Sequence, residues 1–542
     1  IKMSVYSTIP LRRPKRSRFN LSHEVDTAFN IGQLVPTCRP VECVPGDTFK
    51  LAQVASVDLM PLVRPFKGDL YFESWAFFVT NDMLMQNRGL SPINHLSFTD
   101  LLVNASDPKS VTTLPGLTGI NSNTVNFQPG KLPDYLGYPV GIGNSLSGQK
   151  WCDFPIRGVN LIWNEYFRDE NLQTERVQGE GALSAEYFSV PKVNYKKDRF
   201  TSAFRTEQKG NPITIGIASS APVSITTQFL KDGVYSDGSF IATGVKSDIN
   251  SFNVDFQTQY GEMTGQIPYA DIKFTGEVDL SQASSITIND LRLANKLQLW
   301  QERNQLAGSR PKEYLLANYG IAPNDETLQR PVLIGHTKTP VIINTVMQNI
   351  ETDTVTAGSG TGGKASKGGN GVTTQSTYFG KWTCKEFGWI IVLSALRPKA
   401  NYTQGIHRSL IKNTVYDFFN PIFQNLGQQE IFNSEVFVQN TSDDKEIFGF
   451  TDRYNEYRHL ESMTTGILRN TVDGSLSSWI MNRKFAELPT LDSNFITVEA
   501  SEYDYLFNFQ SSFQTPQAII QANNIITAIR PLSKYAHPSL GV

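Results

Sequence analysis

Leu70-Tyr71-Phe72-Glu73-Ser74-Trp75-Ala76-Phe77-Phe78-Val79 decides the fold class. A half-wet strand alternates apolar and polar side chains, whereas this run is apolar on both sides, as a strand covered on both faces must be. Phe387-Gly388-Trp389-Ile390-Ile391-Val392-Leu393-Ser394-Ala395-Leu396 has the same character and stops at Arg397-Pro398. Shorter strands are predicted over residues 213–218, 435–439, 495–499 and 503–510, the last two as a hairpin through 500–502. Long polar loops rich in Gly, Pro and Asn separate these segments. Strands so far apart in sequence must pair at long range, which favours a sandwich or jelly roll over a meander or propeller. No internal repeat of about 20–50 residues marks a solenoid.

Three helices interrupt the β pattern. Residues 160–170 place Leu161, Trp163, Tyr166 and Phe167 on one broad apolar face, with Glu165 and Arg168 three apart. Asn289 or Asp290 caps a second helix that carries Leu293, Leu297, Trp300 and Asn304 along one side and ends near Gly308. Pro311 opens a third and Gly320 closes it. The latter two read as a helical hairpin over 289–320.

The chain has 542 residues, 39% of them hydrophobic and 18% charged, with 33 Phe. A disordered chain would carry more charge and fewer aromatics, so a folded body is expected. No stretch reaches the ~18 apolar residues of a membrane-spanning helix, so no membrane insertion is expected. The first 18 residues lack the apolar core of a secretory signal, which argues against export.

Charge is unevenly spread. The whole chain carries 49 basic and 51 acidic residues, a net −2. Lys2, Arg12, Arg13, Lys15, Arg16 and Arg18 crowd into residues 1–18 with no acidic residue among them, and the remainder is acidic. Such an arm neutralises phosphates and releases counterions without reading sequence, and Pro10 and Pro14 keep it extended. These six cations are the candidate nucleic-acid-binding residues. A solvated tail or a nuclear-import signal has the same composition.

No catalytic chemistry is legible. Gly358-Ser359-Gly360-Thr361-Gly362-Gly363-Lys364 matches the start of a phosphate-binding loop, but Ala365 stands where Mg²⁺ needs a hydroxyl and glycines follow where a helix should begin. Residues 357–371 are therefore read as a flexible loop. Glu165, Asp169 and Glu170 fall within two turns of one helix, whereas glycosidase carboxylates face each other across a cleft. Cys38, Cys43, Cys152 and Cys384 form no CxxC pair and read as reduced thiols. His23, His95, His336, His407, His459 and His537 show no metal-ligand spacing. Neither metal nor cofactor is expected.

Several ordered strings carry a family resemblance. They are Phe19-Asn20-Leu21-Ser22-His23, Val44-Pro45-Gly46-Asp47-Thr48-Phe49, Leu132-Pro133-Asp134-Tyr135-Leu136-Gly137-Tyr138-Pro139 and Asn160-Leu161-Ile162-Trp163-Asn164-Glu165-Tyr166-Phe167-Arg168-Asp169-Glu170-Asn171-Leu172-Gln173. Phe200-Thr201-Ser202-Ala203, Gln208-Lys209-Gly210, Ile288-Asn289-Asp290-Leu291-Arg292-Leu293-Ala294, Gln329-Arg330-Pro331 and Gln404-Gly405-Ile406-His407-Arg408 follow in order. Together they resemble the major capsid proteins of gokushoviruses, small icosahedral single-stranded DNA phages of the Microviridae.

The resemblance implies a mainly β fold, an eight-stranded antiparallel jelly-roll sandwich with long loop insertions and a few short helices. Residues 1–18 would be the arm and 19–542 a single jelly-roll domain. It also implies about sixty copies in a closed T=1 shell around single-stranded DNA, with minor virion and scaffolding proteins of the phage as further partners. Residues 211–285 would form an outward insertion near the three-fold axis, facing a host receptor. The virion is the implied location, after assembly in the host cytoplasm. Here Arg205-Thr206-Glu207 replaces the family's Pro-Trp-Pro before Gln-Lys-Gly. A glycan-binding or glycan-cleaving β-sandwich is the alternative, and it requires an exported chain with an aromatic-lined carboxylate cleft.

Overall fold

The structure is a computed structural model, and it describes residues 16–85, 127–140, 151–176, 185–210, 223–231, 234–237, 251–258, 261–268, 272–278, 288–308, 310–347, 367–424, 426–472, 474–508 and 516–535. In chain order the first strands are Ser17–Asn20 (β1), His23–Phe29 (β2), Leu34–Pro36 (β3), Val41–Cys43 (β4), Thr48–Leu59 (β5) and Leu70–Thr80 (β6). Val223–Lys231 (β7), Val234–Asp237 (β8), Ser251–Thr258 (β9), Gly261–Pro268 (β10) and Ile272–Val278 (β11) follow. Then come Val332–Pro340 (β12), Ile342–Met347 (β13), Lys367–Thr383 (β14), Gly388–Pro398 (β15), Gln428–Phe432 (β16), Ile447–Asp452 (β17) and Ala518–Arg530 (β18).

Two antiparallel sheets dominate. One has six strands in the order β1-β18-β5-β14-β13, with β2 also on β18; the other has five in the order β12-β6-β15-β3, with β4 also on β15. In β5 and β18 buried and open residues alternate, so each presents one apolar face. Ala55, Val57, Ile520 and Ala522 of the first sheet share an apolar cluster with Phe72 and Ile391 of the second. Phe49, Leu51, Ile526 and Ala528 share another with Ala76, Phe78, Ile390 and Val392.

A polar belt runs where these two clusters meet. Thr37 Oγ1 and Ser74 Oγ lie 2.8 and 2.9 Å from Ser394 Oγ, and Ser74 Oγ donates to Gln375 Oε1 at 3.0 Å. Gln53 Nε2 donates to Thr37 Oγ1 at 3.1 Å and to Asn524 Oδ1 at 3.0 Å, and Asn524 Nδ2 donates to the Thr37 carbonyl at 2.9 Å. Each bond contributes about 1 kcal/mol net. Its larger effect is on register, because a slip of one residue would turn Gln53 or Asn524 to the other face and leave buried partners unpaired.

β6 and β15 are buried on both faces, as their composition predicts. A helix supplies the second cover. Phe154–Ile162 is buried throughout, starts with proline in its first turn and continues as one π-helical turn, Trp163–Phe167. Trp75 meets Phe167 edge-on at 5.0 Å and Phe77 meets Tyr166 at 4.8 Å. Gly158 permits the approach, since a Cβ there would stand 2.6 Å from Ile391 Cδ1. β12 and β13 are nearly one strand that leaves the second sheet for the first at Pro340-Val341. That corner is pinned by Val341 N–H donating to the Leu70 carbonyl at 2.8 Å and Thr373 Oγ1 donating to the Pro340 carbonyl at 3.1 Å.

The chain divides into two compact units, residues 1–207 with 307–542, and residues 208–306. The second holds two small antiparallel sheets, β11-β7-β8 and β9-β10, and most of the helix Ile288–Ala307. The division falls at the last residue of that helix, and the next helix, Pro311–Tyr319, is ended by Gly320 in the left-handed conformation (φ 69°).

Several expectations are corrected. Residues predicted as a strand over 435–439 begin within the helical turn Asn433–Val436, and those over 495–499 overlap the turn Ser493–Ile496, whose Phe495 N–H bonds Asp492 Oδ1 at 2.9 Å. The predicted hairpin over 495–510 is instead the 3-10 helix Ala500–Leu506 after that turn. An aspartate N-cap and buried residues three apart, Tyr503 and Leu506, outweigh the strand-like composition. The helix expected over 160–170 starts six residues earlier and ends at Phe167. Lys367–Gly371, assigned to a flexible loop, begin β14, and a Cβ on Gly369 would come 2.8 Å from Pro65 Cα, so that glycine serves close packing. The predicted strand over 213–218 and residues 357–366 lie outside the described residues.

Candidate nucleic-acid interface

Of the six candidate cations, Arg16 and Arg18 are described and both are exposed; Lys2, Arg12, Arg13 and Lys15 lie outside the described residues. The root of the arm is fixed by main-chain pairing. Arg18 stands opposite Ile529, Phe19 opposite Ala528 and Asn20 opposite Thr527. Asn20 Oδ1 accepts from Ser22 N–H at 3.1 Å, and Ser22 Oγ accepts from Ile526 N–H at 3.1 Å, which turns the chain from β1 into β2. Leu21 packs on the cluster around Phe49, and Phe19 is half-buried. The arm therefore leaves the body at one edge of the six-stranded sheet.

The neighbouring cation at that edge is already engaged. Arg530 Nε stands 3.3 Å from the buried Asp47 carboxylate, and its Nη2 donates to the Glu42 carbonyl at 2.5 Å. Arg18 has no such partner among the described residues.

Residues of the family-like strings form joints, the first of them between two strings. Tyr166 O–H donates to the Pro331 carbonyl at 2.5 Å while the Arg330 guanidinium covers the Tyr166 ring at 4.4 Å and Nη2 donates to the Glu165 carbonyl at 3.2 Å. Buried Glu435 binds Arg199 and, at 2.8 Å, Arg408. Tyr135 O–H donates to the Ala28 carbonyl at 2.8 Å. Two of the three carboxylates weighed for glycoside chemistry are spent on cations: Asp169 on Lys197, and Glu170 on Arg310 at 3.3 Å and Arg168 at 4.0 Å. Burial pushes the Cys38 thiol up to about 12, which leaves it without nucleophilic character at neutral pH. Among the described residues no group of His, Cys, Asp and Glu is placed to hold a metal ion, and no helix is long and apolar enough to cross a membrane.

Sequence reasoning passed over a second surface. Between β15 and β16 the chain carries open apolar side chains, Val415 at 85% and Ile422 at 83% exposure, with Leu410, Tyr416 and Leu426 also open. Polar contacts hold this segment in shape. Asp417 Oδ2 accepts from Thr414 and Asn413 N–H at 2.7 and 2.9 Å, which holds its carboxyl below the usual range. Tyr454 and Tyr457 hydroxyls accept from Asn420 and Phe419 N–H, both at 3.3 Å. The signal was Phe418-Phe419-Asn420-Pro421-Ile422-Phe423, an apolar run around a turn-forming Asn-Pro.

Known proteins share this chain almost end to end. The family described as Capsid protein (F protein) matches residues 7–540. Capsid protein VP1 of Chlamydia phage 1 is 28% identical, the match covering 99% of this chain and 97% of that protein. Capsid protein VP1 of Bdellovibrio phage phiMH2K is 28% identical over 91% of this chain and 89% of its own length, and that of Spiroplasma virus 4 is 27% identical over 97% and 95%. With the match spanning both compact units and the arm's basic cluster, the chain belongs to the phage capsid protein (F protein) family.

Proposed function

We propose that this capsid protein forms a T=1 shell of about sixty copies around single-stranded DNA, its subunit an eight-stranded jelly-roll sandwich and its basic arms turned toward the cargo. The count of eight is supported by treating interrupted strands as one: β1 with β2, β3 with β4, β12 with β13, then β5, β6, β14, β15 and β18. The observation that carries self-association is the ordered segment with Val415 and Ile422 facing outward. A closed polyhedral array multiplies modest contacts of this kind. Five clustered cations per arm would bring about 300 charges to the packaged strand. Residues 211–285 are the proposed receptor-facing insertion, and minor virion and scaffolding proteins are the proposed partners during assembly in the host cytoplasm.

The test is imaging of the expressed full chain by negative stain, with nucleic-acid content measured for the chain and for a variant lacking residues 1–18. Closed particles, with less DNA in the shortened variant but unchanged subunit folding, are expected. A stable monomer that cleaves or binds polysaccharide overturns the reading.

A further inference from the structure

We propose that the exposed face of the β1-β18-β5-β14 sheet, beside the root of the arm, is a second binding surface for single-stranded nucleic acid, with Arg18, Lys50 and Lys381 holding phosphates and Tyr378 stacking on a base. It rests on the reading that the chain encloses such a strand.

The register assembles these residues. Asn20 pairs with Thr527, Thr527 with Lys50, and Lys50 with Lys381, which makes one row across four strands. Arg18 lies in the adjacent row, opposite Ile529, which in turn faces Thr48. Arg18, Lys50 and Lys381 are all exposed. Directly opposed lysines stand about 5 Å apart at Cβ and repel, an arrangement that destabilises a sheet unless an anion sits between them.

No carboxylate among the described residues does so. Among the described residues neither lysine, nor Arg18, has a carboxylate in ion-pair range, whereas Lys192, Lys385 and Lys399 are each paired with one. The acids that share this face lie farther along it: Glu24 opposite Asn523, about 14 Å of strand from the Lys50 row, Asp26 opposite Gln521, about 20 Å from it, and Asp58 opposite Ile519. From Lys50 to Asp58 is eight residues, or about 27 Å of strand. Even Glu24, the nearest of the three, stands more than one Debye length from the lysines at physiological salt, so screening weakens its pull on them.

Tyr378 supplies the stacking platform. It is 63% exposed and pairs with Ala52, whose methyl leaves the ring uncovered. Ala52 is two residues, about 7 Å, from Lys50 on the same face. A cationic track with an open aromatic beside it is the arrangement that holds unpaired strands without sequence preference. The occupant is a polyanion because the exposed Arg16 and Arg18 join this face, through the sequence itself, to the further cations Lys2, Arg12, Arg13 and Lys15, and a continuous chain of phosphates can engage both sets at once.

The experiment titrates purified full-length subunits with a fluorescent oligothymidine across a series of salt concentrations. The double variant Lys50→Gln, Lys381→Gln is expected to reduce the slope of log affinity against log salt by about 1.4. Tyr378→Ala is expected to weaken oligothymidine binding about five-fold or more while leaving an abasic strand of equal length unaffected, and Tyr378→Phe to retain binding. An unchanged slope and affinity in the lysine double variant, with binding lost when Arg12, Arg13, Lys15 and Arg16 become Gln, overturns the second surface and leaves the arm intact as the site. The reverse pattern supports the surface and removes the arm. Loss of self-association with unchanged DNA binding assigns the face to a neighbouring copy and overturns the proposal.

Discussion

Glu73 sits inside β6 with its carboxylate almost wholly buried, and three side chains converge on it. Arg397 Nη1 is 3.1 Å away, and Lys338 Nζ and His336 Nε2 are each at 3.9 Å. One negative charge therefore serves more cations than it can neutralise. Two of the three bind their protons less tightly than they would in water. Burial depresses the His336 ring, which stacks on Trp75 at 5.1 Å, and the Lys338 ammonium is pushed down to about 8 by desolvation and by the nearby Lys196. A lowered folded value means that stability rises with pH from about 8 up to the ordinary lysine range near ~10.4, because the unfolded chain there holds the proton more tightly. NMR titration of ¹³C-methylated lysines should show a midpoint near 8 for Lys338, moving upward in Lys196→Gln. A midpoint in the ordinary range in both proteins would refute this account.

At the scale of elements, two glycines let layers approach, and the neighbours they meet differ. At Gly158 the obstacle to a Cβ is the tip of the flexible Ile391 side chain, at 2.6 Å; at Gly369 it is the Pro65 backbone, at 2.8 Å. Gly369→Ala should therefore cost more than Gly158→Ala, within the ~1–3 kcal/mol typical of overpacking. Paired thermal melts of the two variants give the comparison, and equal losses would contradict it. The same scale shows what a reader of the sequence can recover. β6 and β15 announce themselves because double burial leaves an unbroken apolar run. β18 does not, since Asn523-Asn524 interrupts its pattern. Only the fold reveals that Asn524 is inward and bonded to Gln53, far away in the chain. The start of β14 is hidden by glycines that look like a loop. Conversely, Phe495 sits in a segment of strand-like composition that an aspartate cap converts to a helical turn, and Tyr503 in one that winds into a 3-10 helix with Tyr503 and Leu506 buried. The crowding of cations into residues 1–18 is plain from composition, but the alignment of Lys50 with Lys381 depends on pairing across hundreds of residues, which no local pattern encodes.

For the whole molecule, the outward Val415 and Ile422 make a definite expectation. Burying such a side chain at a contact contributes about 1.5–3 kcal/mol, and a closed shell repeats the contact in every copy. Val415→Asp with Ile422→Asp should abolish particles in sedimentation while leaving subunit melting within about 2 °C, because both side chains are open in the subunit. Particles formed at normal yield would show that this surface faces solvent. The strand that leaves one sheet and enters the other at Pro340-Val341 bears on how a finished shell responds to force. A pull on either layer is handed to its counterpart through covalent main chain, so the subunit stretches as one laminated plate rather than shearing into two leaves.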